Sequence, residues 1–423
     1  MIDILEMCRL AKSASRKLAL SSTEQKNLAL GALLTWLRNN QTQIVLENQK
    51  DVNLARQADL GEAVIDRLTL TLARSESMAS DLEKVIKLPD PVGEVFEQQN
   101  FLNGLQLQKQ RVPLGVIAVI YESRPNVTID VASLALKSGN AVILRGGSET
   151  LNSNRALVTG IKQSLRIAGL QEDVVQFIDD PAREMINQLL KMHQYVDMLI
   201  PRGGAKLHAF CRENSTIPVI TGGIGICHLF VDKSADLKKS IAVIRNAKIQ
   251  RPGVCNALDT VLVHTDVAAA FVPMLISELN KDGVSFRMEK ETLAKLGLEE
   301  SDVVRKAGNQ DYDTEWLSLV LGIKAVKGLE EALAHIAAHS TAHSDGILTN
   351  DRGNADRFIR EVDSAAVYVN VSTRFTDGAQ FGMGAEAAVS TQRLHARGPM
   401  ALRELTTYKW VGIGDYLTRA KGT

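Results

Sequence analysis

The residues around Cys255 have the types and the order that thiol chemistry needs. Residues 250–257 read Gln-Arg-Pro-Gly-Val-Cys-Asn-Ala, and the Pro-Gly pair predicts a turn just before the thiol. A helical pattern precedes this turn and a strand pattern follows it, so the thiol is expected to lie exposed at a domain junction, as nucleophiles need. Arg251 or nearby backbone N–H groups would favour the thiolate. The alternative is a small buried residue, which is the usual fate of a cysteine outside a disulfide.

The chain has three other cysteines, Cys8, Cys211 and Cys227. Each lies in an ordinary apolar pattern, which predicts core packing. None of the cysteines forms a C-x-x-C pair, and their spacing suits neither a zinc site nor a disulfide framework. We therefore expect reduced thiols in a reducing compartment.

A second candidate site is the loop at residues 145–149, Arg-Gly-Gly-Ser-Glu, which follows a predicted strand. Loops at the carboxyl ends of parallel strands bind ligands in α/β sheets. Arg145 could bind a phosphate, and the two glycines permit close approach of the backbone. A plain strand–helix turn explains the loop equally well. Arg124 and Arg374 lie in loops rich in Ser, Thr and Asn, where they are either anion ligands or solvated surface charges.

Several common signatures are absent from the sequence. There is no G-x-G-x-x-G, no P-loop and no H-E-x-x-H. His335, His339 and His343 are spaced by four and could bind a metal on one continuous helix. Ser340 and Thr341 predict the end of that helix, so we expect surface histidines and no metal.

Length and pattern predict an α/β protein of two or three domains in its 423 residues. Helices are predicted over roughly the first 90 residues, and a hairpin over 94–111 with Asn103-Gly104 at its turn. From residue 115 strands and helices alternate, which favours a mainly parallel sheet. A boundary is predicted near 225–230, and residues 405–411 are a candidate strand. The strands predicted between these points are 115–120, 141–144, 174–178, 196–200, 259–264, 319–326, 346–349 and 365–371.

The overall charge is balanced, with 49 basic and 49 acidic residues. A neutral chain has no general field for nucleic acid or an anionic membrane, so neither partner is expected. Residues 1–12 contain acidic residues and do not resemble a signal peptide. No apolar run approaches the roughly 20 residues of a membrane span. These observations predict a cytoplasmic protein.

Three longer motifs give the chain a resemblance to a known family. They are Tyr-Glu-Ser-Arg-Pro-Asn at 121–126, Asn-Val-Ser-Thr-Arg-Phe-Thr-Asp-Gly at 370–378 and His-Ala-Arg-Gly-Pro-Met at 395–400. Together with the cysteine segment they resemble the aldehyde dehydrogenase superfamily, and most closely its gamma-glutamyl phosphate reductase branch. The resemblance runs from about residue 10 to the end of the chain.

This resemblance implies an aldehyde-dehydrogenase-like α/β fold with two α/β domains and a small β element. Residues 1–93 and 112–227 would form the cofactor-binding domain, and 228–390 the catalytic domain. Residues 94–111 and 400–423 would form a hairpin and a C-terminal strand for oligomerisation. A homo-oligomer is the corresponding expectation.

The resemblance also implies NADPH bound without a G-x-G-x-x-G fingerprint. Arg145 would lie near the adenosine ribose, where a guanidinium suits the 2′-phosphate. Glu315 would hold the nicotinamide ribose. The full set of implied cofactor residues is Arg145, Gly146, Gly147, Ser148, Glu149, Gly222, Gly223 and Glu315.

The implied substrate is L-glutamate 5-phosphate, an acyl phosphate. Cys255 would displace phosphate to form a thioester, whose reduction gives glutamate 5-semialdehyde for proline biosynthesis. A functional coupling to glutamate 5-kinase follows from this chemistry. Ile220 stands where hydrolytic members of the superfamily keep a general base, which is expected if hydride rather than water resolves the thioester.

Oxyanion and substrate contacts are the remaining implied roles. Ser123 aligns with the asparagine of the family's oxyanion hole, and either Ser123 or Asn126 would donate there. The implied substrate residues are Arg124, Ser372, Thr373 and Arg374. Two alternatives stay open, an oxidising aldehyde dehydrogenase of the same fold and a catalytically silent scaffold.

Overall fold

A computed structural model describes residues 3–222 and 224–419, apart from the side chain of Ala63. The chain forms two compact units. Unit 1 comprises Met1–Thr221, Gly382–Ala388 and Met400–Thr423, and unit 2 comprises Gly222–Phe381 and Val389–Pro399. The assignment of cofactor, catalytic and oligomerisation roles to segments of the chain stays a prediction.

The helices lie mainly in the N-terminal segment and between successive strands. Their bounds are α1 Ile4–Leu18, α2 Thr23–Asn39, α3 Gln41–Gln57, α4 Glu62–Leu68, α5 Leu72–Lys87, α6 Val127–Lys137, α7 Leu151–Ile167, α8 Arg183–Leu189, α9 Ala205–Asn214, α10 Leu237–Ile249, α11 Thr265–Asn280, α12 Lys290–Leu296, α13 Leu329–His339 and α14 Arg352–Glu361.

The strands form two parallel sheets and two smaller ones. Their bounds are β1 Val95–Asn100, β2 Gln106–Pro113, β3 Val116–Tyr121, β4 Ala141–Gly146, β5 Val175–Phe177, β6 Met198–Arg202, β7 Cys227–Val231, β8 Leu258–His264, β9 Ser285–Met288, β10 Val304–Lys306, β11 Val320–Val326, β12 Ser344–Leu348, β13 Ala366–Val369, β14 Ala388–Ser390, β15 Gly398–Met400 and β16 Thr406–Ile413. Two of the three-residue strands, β14 and β15, form a sheet of their own.

Unit 1 is built on a parallel sheet with the strand order β5-β4-β3-β6. Every residue of β3 and β4 is buried, which explains why both read as short apolar runs without alternation. Apolar side chains of α1 complete this core, including Ile4, Cys8 and Ala11. The predicted α/β class is confirmed.

The hairpin of unit 1 forms a separate antiparallel sheet, β1-β2-β16. Gly104 has φ +90°, a conformation that a side chain disfavours, and it supplies the turn predicted from Asn103-Gly104. The C-terminal strand β16 pairs with β2 over its whole length. Both sequence predictions for this sheet are confirmed.

Unit 2 contains a parallel sheet with the order β10-β9-β11-β8-β7-β12-β13. Its core is formed by aliphatic side chains of β7, β8 and β11 against α10 and α11, with Phe271 of α11 and Phe286 of β9. Two strands of this sheet, β9 and β10, were not predicted. They have four and three residues, which is too short for a period to be recognised.

The histidines at 335, 339 and 343 correct one expectation. The helix α13 ends at His339, as the Ser340-Thr341 break predicted. His335 and His343 are nevertheless buried, at 5% and 0% exposure, so they are not surface histidines. His335 packs edge-on against His228 and Tyr312 at centroid distances of 5.4 and 5.1 Å. Within the described ranges, no group of His, Cys, Asp and Glu has a metal-binding arrangement.

The buried His335 ring predicts a loss of stability in mild acid. Burial lowers its pKa to about 2, with further contributions from the neighbouring charges of His228, His339 and Lys324. Neither of its ring nitrogens has a hydrogen-bond partner among the described residues. Below the ordinary histidine pKa of about 6.5, the unfolded chain therefore binds a proton at this histidine. The folded chain keeps the ring neutral. The free energy of unfolding should fall by about 1.4 kcal/mol per pH unit below that point.

A urea-unfolding series between pH 7 and pH 5 measures this contribution. His335→Phe keeps a ring against Tyr312 and removes the titration, so its stability should decline less steeply than that of the parent. His193→Gln, at an exposed position in unit 1, is the matched control and should keep the parent slope. Equal slopes for His335→Phe and the parent would show that His335 does not cause the acid sensitivity.

Candidate active site

Cys255 lies on a tight turn between α10 and β8, as its Pro-Gly pair predicted. The turn is closed by the backbone N–H of Ala257, which donates to the carbonyl of Val254 at 3.0 Å. Cys255 is half-buried, whereas Cys8, Cys211 and Cys227 are buried. Burial raises the pKa of Cys8 to about 12 and that of Cys211 to about 11, and it raises the pKa of Cys227 well above the ordinary thiol range. Those three side chains therefore stay protonated and inert.

The carbonyl of Cys255 packs directly on the backbone of Gly225. A Cβ added at Gly225 would lie 1.5 Å from that carbonyl oxygen, so no side chain fits there. The Cys227 thiol donates to the same carbonyl at 3.3 Å. The glycine-rich strand entry and the buried thiol together fix the position of the Cys255 backbone.

Two further side chains of unit 2 hold the segment at Gly225. The backbone N–H of Gly225 donates to Glu315 Oε1 at 2.9 Å. Thr341 Oγ1 accepts from the N–H of Ile226 at 3.0 Å and donates to the carbonyl of Ile224 at 2.8 Å. Glu315, which was predicted to hold a cofactor ribose, anchors the backbone that packs against Cys255.

The loop predicted to contact substrate forms a 3-10 turn, Thr373–Phe375, capped by Ser372. Ser372 and Thr373 are buried, and Thr373 Oγ1 donates to the carbonyl of Asn256 at 2.7 Å. The guanidinium of Arg374 bonds the side chains of Asn256 and Gln250. The structure therefore brings the predicted substrate loop against the residue that follows Cys255.

Gly222 and Gly223 were both predicted to bind the cofactor. Gly222 forms an isolated bridge with Ser390, and a Cβ added to it would lie 2.1 Å from the carbonyl of Val389. Its lack of a side chain is thus explained by close packing within unit 2. Gly223 lies outside the described residues.

In unit 1 the predicted cofactor loop follows β4, at the carboxyl end of the parallel sheet. Gly146 packs so closely that an added Cβ would lie 2.1 Å from Asn154 Nδ2. A Cβ added at Gly147 would lie 2.2 Å from Glu149 Oε1. Ser148 is exposed and begins a 3-10 turn, Ser148–Thr150. The two glycines let the chain turn tightly around these polar groups.

Arg145 is the side chain of this loop that best suits an anionic ligand. Its exposure is 9%, and its Nη2 donates to the carbonyl of Pro181 at 2.7 Å. Its Nε has no hydrogen-bond partner among the described residues. Burial lowers the pKa of this guanidinium, opposed by the charges of Glu149, Asp180 and Glu122. A buried guanidinium with a spare N–H is chemically suited to bind phosphate.

Glu149 connects this loop to the loop that follows β3. Its Oε1 accepts from the backbone N–H of Ser123 at 2.7 Å and from Ser123 Oγ at 3.0 Å. Ser123 has φ +50°, a left-handed conformation that is unusual for serine. The two hydrogen bonds to one carboxylate oxygen hold it there. The neighbouring Glu122 accepts from the N–H of Gly204 at 3.1 Å.

Arg124 and Asn126 follow on the same loop, and both are half-buried. Asn126 Nδ2 donates to Asp130 Oδ2 at 2.8 Å. Burial raises the pKa of Asp130 to about 6, and the hydrogen bond from Asn126 partly opposes that shift. The second N–H of the Asn126 amide is geometrically separate from this bond and can donate elsewhere.

Sequence reasoning missed several residues that build the site, namely Gly225, Asn256, Gln250, Thr341 and Glu122. Gly225 belonged to a recognised glycine-rich stretch and Asn256 directly follows the nucleophile, so position alone could have suggested both. Thr341 and Glu122 act through contacts between distant segments, for which a single sequence carries no signal.

Comparison with known proteins shows which family this chain resembles. The profile of the aldehyde dehydrogenase family matches residues 2–293. A gamma-glutamyl phosphate reductase of Vibrio vulnificus is 55% identical over 419 residues, covering 99% of this chain and 100% of that protein. A gamma-glutamyl phosphate reductase of Aeromonas salmonicida is also 55% identical, covering 98% and 99%.

A solved structure extends this likeness to the fold. The crystal structure of a gamma-glutamyl phosphate reductase from Thermotoga maritima matches with a TM-score of 0.95 and 46% identity, covering 99% of this chain and 100% of that one. This chain belongs to the aldehyde dehydrogenase family, in its gamma-glutamyl phosphate reductase branch. The family resemblance predicted from the sequence motifs is confirmed.

Membership of the aldehyde dehydrogenase family implies a nicotinamide cofactor. The buried guanidinium of Arg145, whose Nε has no hydrogen-bond partner among the described residues, is compatible with a phosphate-bearing ligand. As for membranes, no described helix is both long enough and apolar enough to span one.

The contact between Gly225 and the carbonyl of Cys255 predicts a large effect of one methyl group. Gly225→Ala forces the nucleophile turn to move, because the added Cβ would overlap that oxygen. A displacement of about 1 Å at a reacting group can cost roughly a hundredfold in rate. We expect a loss of that order in the kcat of the aldehyde dehydrogenase reaction.

Gly31→Ala, in α2, is the matched control, because its added Cβ would meet no atom within 4 Å. It should keep near-parental kcat. Circular dichroism should show that both variants fold. Full activity of folded Gly225→Ala would show that the turn tolerates the displacement.

Proposed function

We propose that this chain catalyses the NADPH-dependent reduction of L-glutamate 5-phosphate to L-glutamate 5-semialdehyde and phosphate, with Cys255 as the nucleophile. The single observation that supports this most strongly is the state of the four thiols. Cys255 is the half-buried one, on a fixed turn beside an arginine-bearing loop, while the other three are buried with raised pKa values. Two relatives that are 55% identical over almost the whole of both chains are named gamma-glutamyl phosphate reductase.

The first step needs a thiolate held in place at an anionic substrate. The Cys255 thiolate attacks the acyl carbon, the C–O bond to phosphate breaks, and inorganic phosphate leaves as a thioester forms. Arg374 and Arg124 would neutralise the substrate anions, with Ser372 and Thr373 shaping the loop. Phosphate is already a good leaving group, so this step does not depend on a strong general acid.

The oxyanion that develops in this step needs hydrogen-bond donors. The hydroxyl and backbone N–H of Ser123 both donate to Glu149. The Asn126 amide keeps one N–H beyond its bond to Asp130. This difference favours Asn126 over Ser123 as the side-chain donor, with the backbone N–H of Cys255 as a further candidate.

The thioester must then be reduced and protected from water. When bound, the nicotinamide cofactor supplies the hydride for this reduction. Collapse of the resulting thiohemiacetal releases the semialdehyde and restores the Cys255 thiol. Ile220 is buried at 4% exposure and cannot act as a base, so no side chain at that position activates water.

NADPH rather than NADH is proposed from the chemistry of Arg145. Its buried guanidinium suits the 2′-phosphate that distinguishes the two cofactors. Gly146, Gly147, Ser148 and Glu149 would complete the loop at the ribose and phosphate, with the glycines permitting its tight turn. Gly222, Gly223 and Glu315 complete the proposed cofactor set.

The proposed setting is proline biosynthesis in the cytoplasm, with glutamate 5-kinase as a functional partner because the acyl phosphate is labile. A homo-oligomer is proposed from the antiparallel sheet β1-β2-β16. Phe96, Tyr408 and Trp410 surround Lys109 on this sheet, and Trp410 remains 56% exposed. Exposed aromatic side chains on a sheet with open edges are typical of a contact surface.

The reaction is tested in reverse, by NADP⁺-dependent oxidation of glutamate 5-semialdehyde with and without inorganic phosphate. Turnover should require phosphate, and Cys255→Ala should abolish it. Cys8→Ala, at a buried thiol far from any proposed role, should retain it. Phosphate-independent formation of glutamate would instead identify an oxidising aldehyde dehydrogenase, and absence of turnover in the parent would favour a silent scaffold.

The cofactor preference gives a second test. Arg145→Leu should lower the ratio of kcat/KM for NADPH to kcat/KM for NADH by about 10- to 100-fold, since a hydrogen bond to a charged group contributes about 1.5–3 kcal/mol. Arg183→Leu, at an exposed arginine of the same unit, should leave the ratio unchanged. An unchanged ratio in Arg145→Leu would mean that another residue reads the 2′-phosphate.

A further inference from the structure

Asn256 uses both ends of its side chain to hold the substrate loop. Its Nδ2 donates to the carbonyl of Thr376 at 2.8 Å and to that of Arg374 at 3.5 Å, and its Oδ1 accepts from Arg374 Nη1. Its own carbonyl accepts from Thr373 Oγ1 at 2.7 Å. Asn256 is 4% exposed, so these contacts are shielded from water. One residue therefore joins the Cys255 turn to three positions of the loop, Thr373, Arg374 and Thr376.

Arg374 is the charged group that these contacts orient. Its guanidinium is held on one side by Asn256 and on the other by Gln250, whose Oε1 accepts from Nε at 3.0 Å. Burial lowers the pKa of Arg374, Arg251 adds to this effect, and the carboxylate of Asp377 and the thiol of Cys255 oppose it. Because Asn256 directly follows Cys255, its bond to Nη1 ties the guanidinium to the turn that carries the thiol.

We propose that Asn256 is a positioning residue, which fixes Arg374 beside Cys255 so that the site selects substrates whose leaving group is a phosphate. This inference rests on the proposed function and adds the group that Arg374 binds. In an acyl phosphate the phosphate is bonded to the carbon that Cys255 attacks, whereas the α-carboxylate of L-glutamate 5-phosphate is several bonds away. Arg374 is bonded to the side chain of the residue that directly follows Cys255, so its guanidinium is matched to the phosphate rather than to the distant α-carboxylate.

The contribution of Asn256 is to preorganise the side chain of Arg374. An arginine side chain loses considerable rotamer freedom when it binds an anion, and a guanidinium already held by two neighbours has lost that freedom in advance. Asn256 can do this without cancelling charge, because its amide is neutral. A carboxylate at the same position would bind Arg374 equally well but would repel both phosphate and thiolate.

The first test measures how nearby charges affect the reactivity of the Cys255 thiol, and it needs no substrate. Cys255 is alkylated with anionic iodoacetate and with neutral iodoacetamide, and mass spectrometry of its peptide gives the two rate constants. Asn256→Ala should lower the iodoacetate-to-iodoacetamide ratio by about three- to tenfold, as expected when a nearby unit charge is released into solvent. Arg374→Ala should lower it similarly. An unchanged ratio in either variant overturns the proposal.

Two further variants keep this test decisive. Asn256→Ser retains a smaller donor near the carbonyl of Thr376 but no longer holds the guanidinium of Arg374. It should therefore lower the iodoacetate-to-iodoacetamide ratio, and it serves as the test if Asn256→Ala folds poorly. Asn354→Ala removes an amide of the same unit that bonds Asp232 and does not contact the loop. It should keep the parental ratio, and a drop there would show that the effect is general destabilisation.

The second test is kinetic, in the reverse reaction. Asn256→Ala should raise the KM for inorganic phosphate by about tenfold, with a smaller change in the KM for the semialdehyde. In an Arg374→Ala background, Asn256→Ala should add little, because the two act through one contact. Full additivity, or an increase confined to the semialdehyde KM, would overturn the proposal. If turnover proves independent of phosphate, the proposed function fails, while the alkylation ratio still reports on Asn256 alone.

Discussion

The carbonyl of Cys255 rests on a backbone that has no room for a side chain, and this contact constrains the rest of unit 2's site. A reactive thiol on a surface turn would ordinarily sample many positions. Here Gly225 contacts the carbonyl from one side and Cys227 donates to it, while Glu315 and Thr341 hold the Gly225 segment in turn. The turn is closed by the short backbone hydrogen bond from Ala257 to Val254, and these neighbours further fix its position.

A comparable arrangement holds the two loops of unit 1 that follow β3 and β4. Both emerge from the carboxyl ends of fully buried parallel strands, which is where such sheets place ligands. The carboxylate of Glu149 binds Ser123 across the gap between these loops and stabilises its left-handed backbone. A change in the cofactor loop would therefore be transmitted to the loop that carries Arg124 and Asn126.

Much of this could be predicted from the sequence, because it depends on local pattern. The buried runs of β3 and β4, the turn at Gly104 and the turn before Cys255 each carry their signal within a few residues. The family motifs extended that signal to the whole fold. The burial of His335 was not predicted, since four-residue spacing describes a helix face without saying what covers it. The position of Asn256 after Cys255 could have drawn attention to it, but its contacts with residues more than a hundred positions away could not be read from the sequence.

Those long separations have a consequence for how the protein is made. Gly225 meets Glu315 across 90 residues, Ile226 meets Thr341 across 115, and Asn256 meets Thr376 across 120. Contacts of such high sequence separation form late, and during synthesis they must wait for the distant segment to emerge. An incomplete chain therefore contains Cys255 as an ordinary cysteine, without the oriented arginine beside it. With Cys255 as the proposed nucleophile, its oriented setting is completed only when nearly the whole chain has folded.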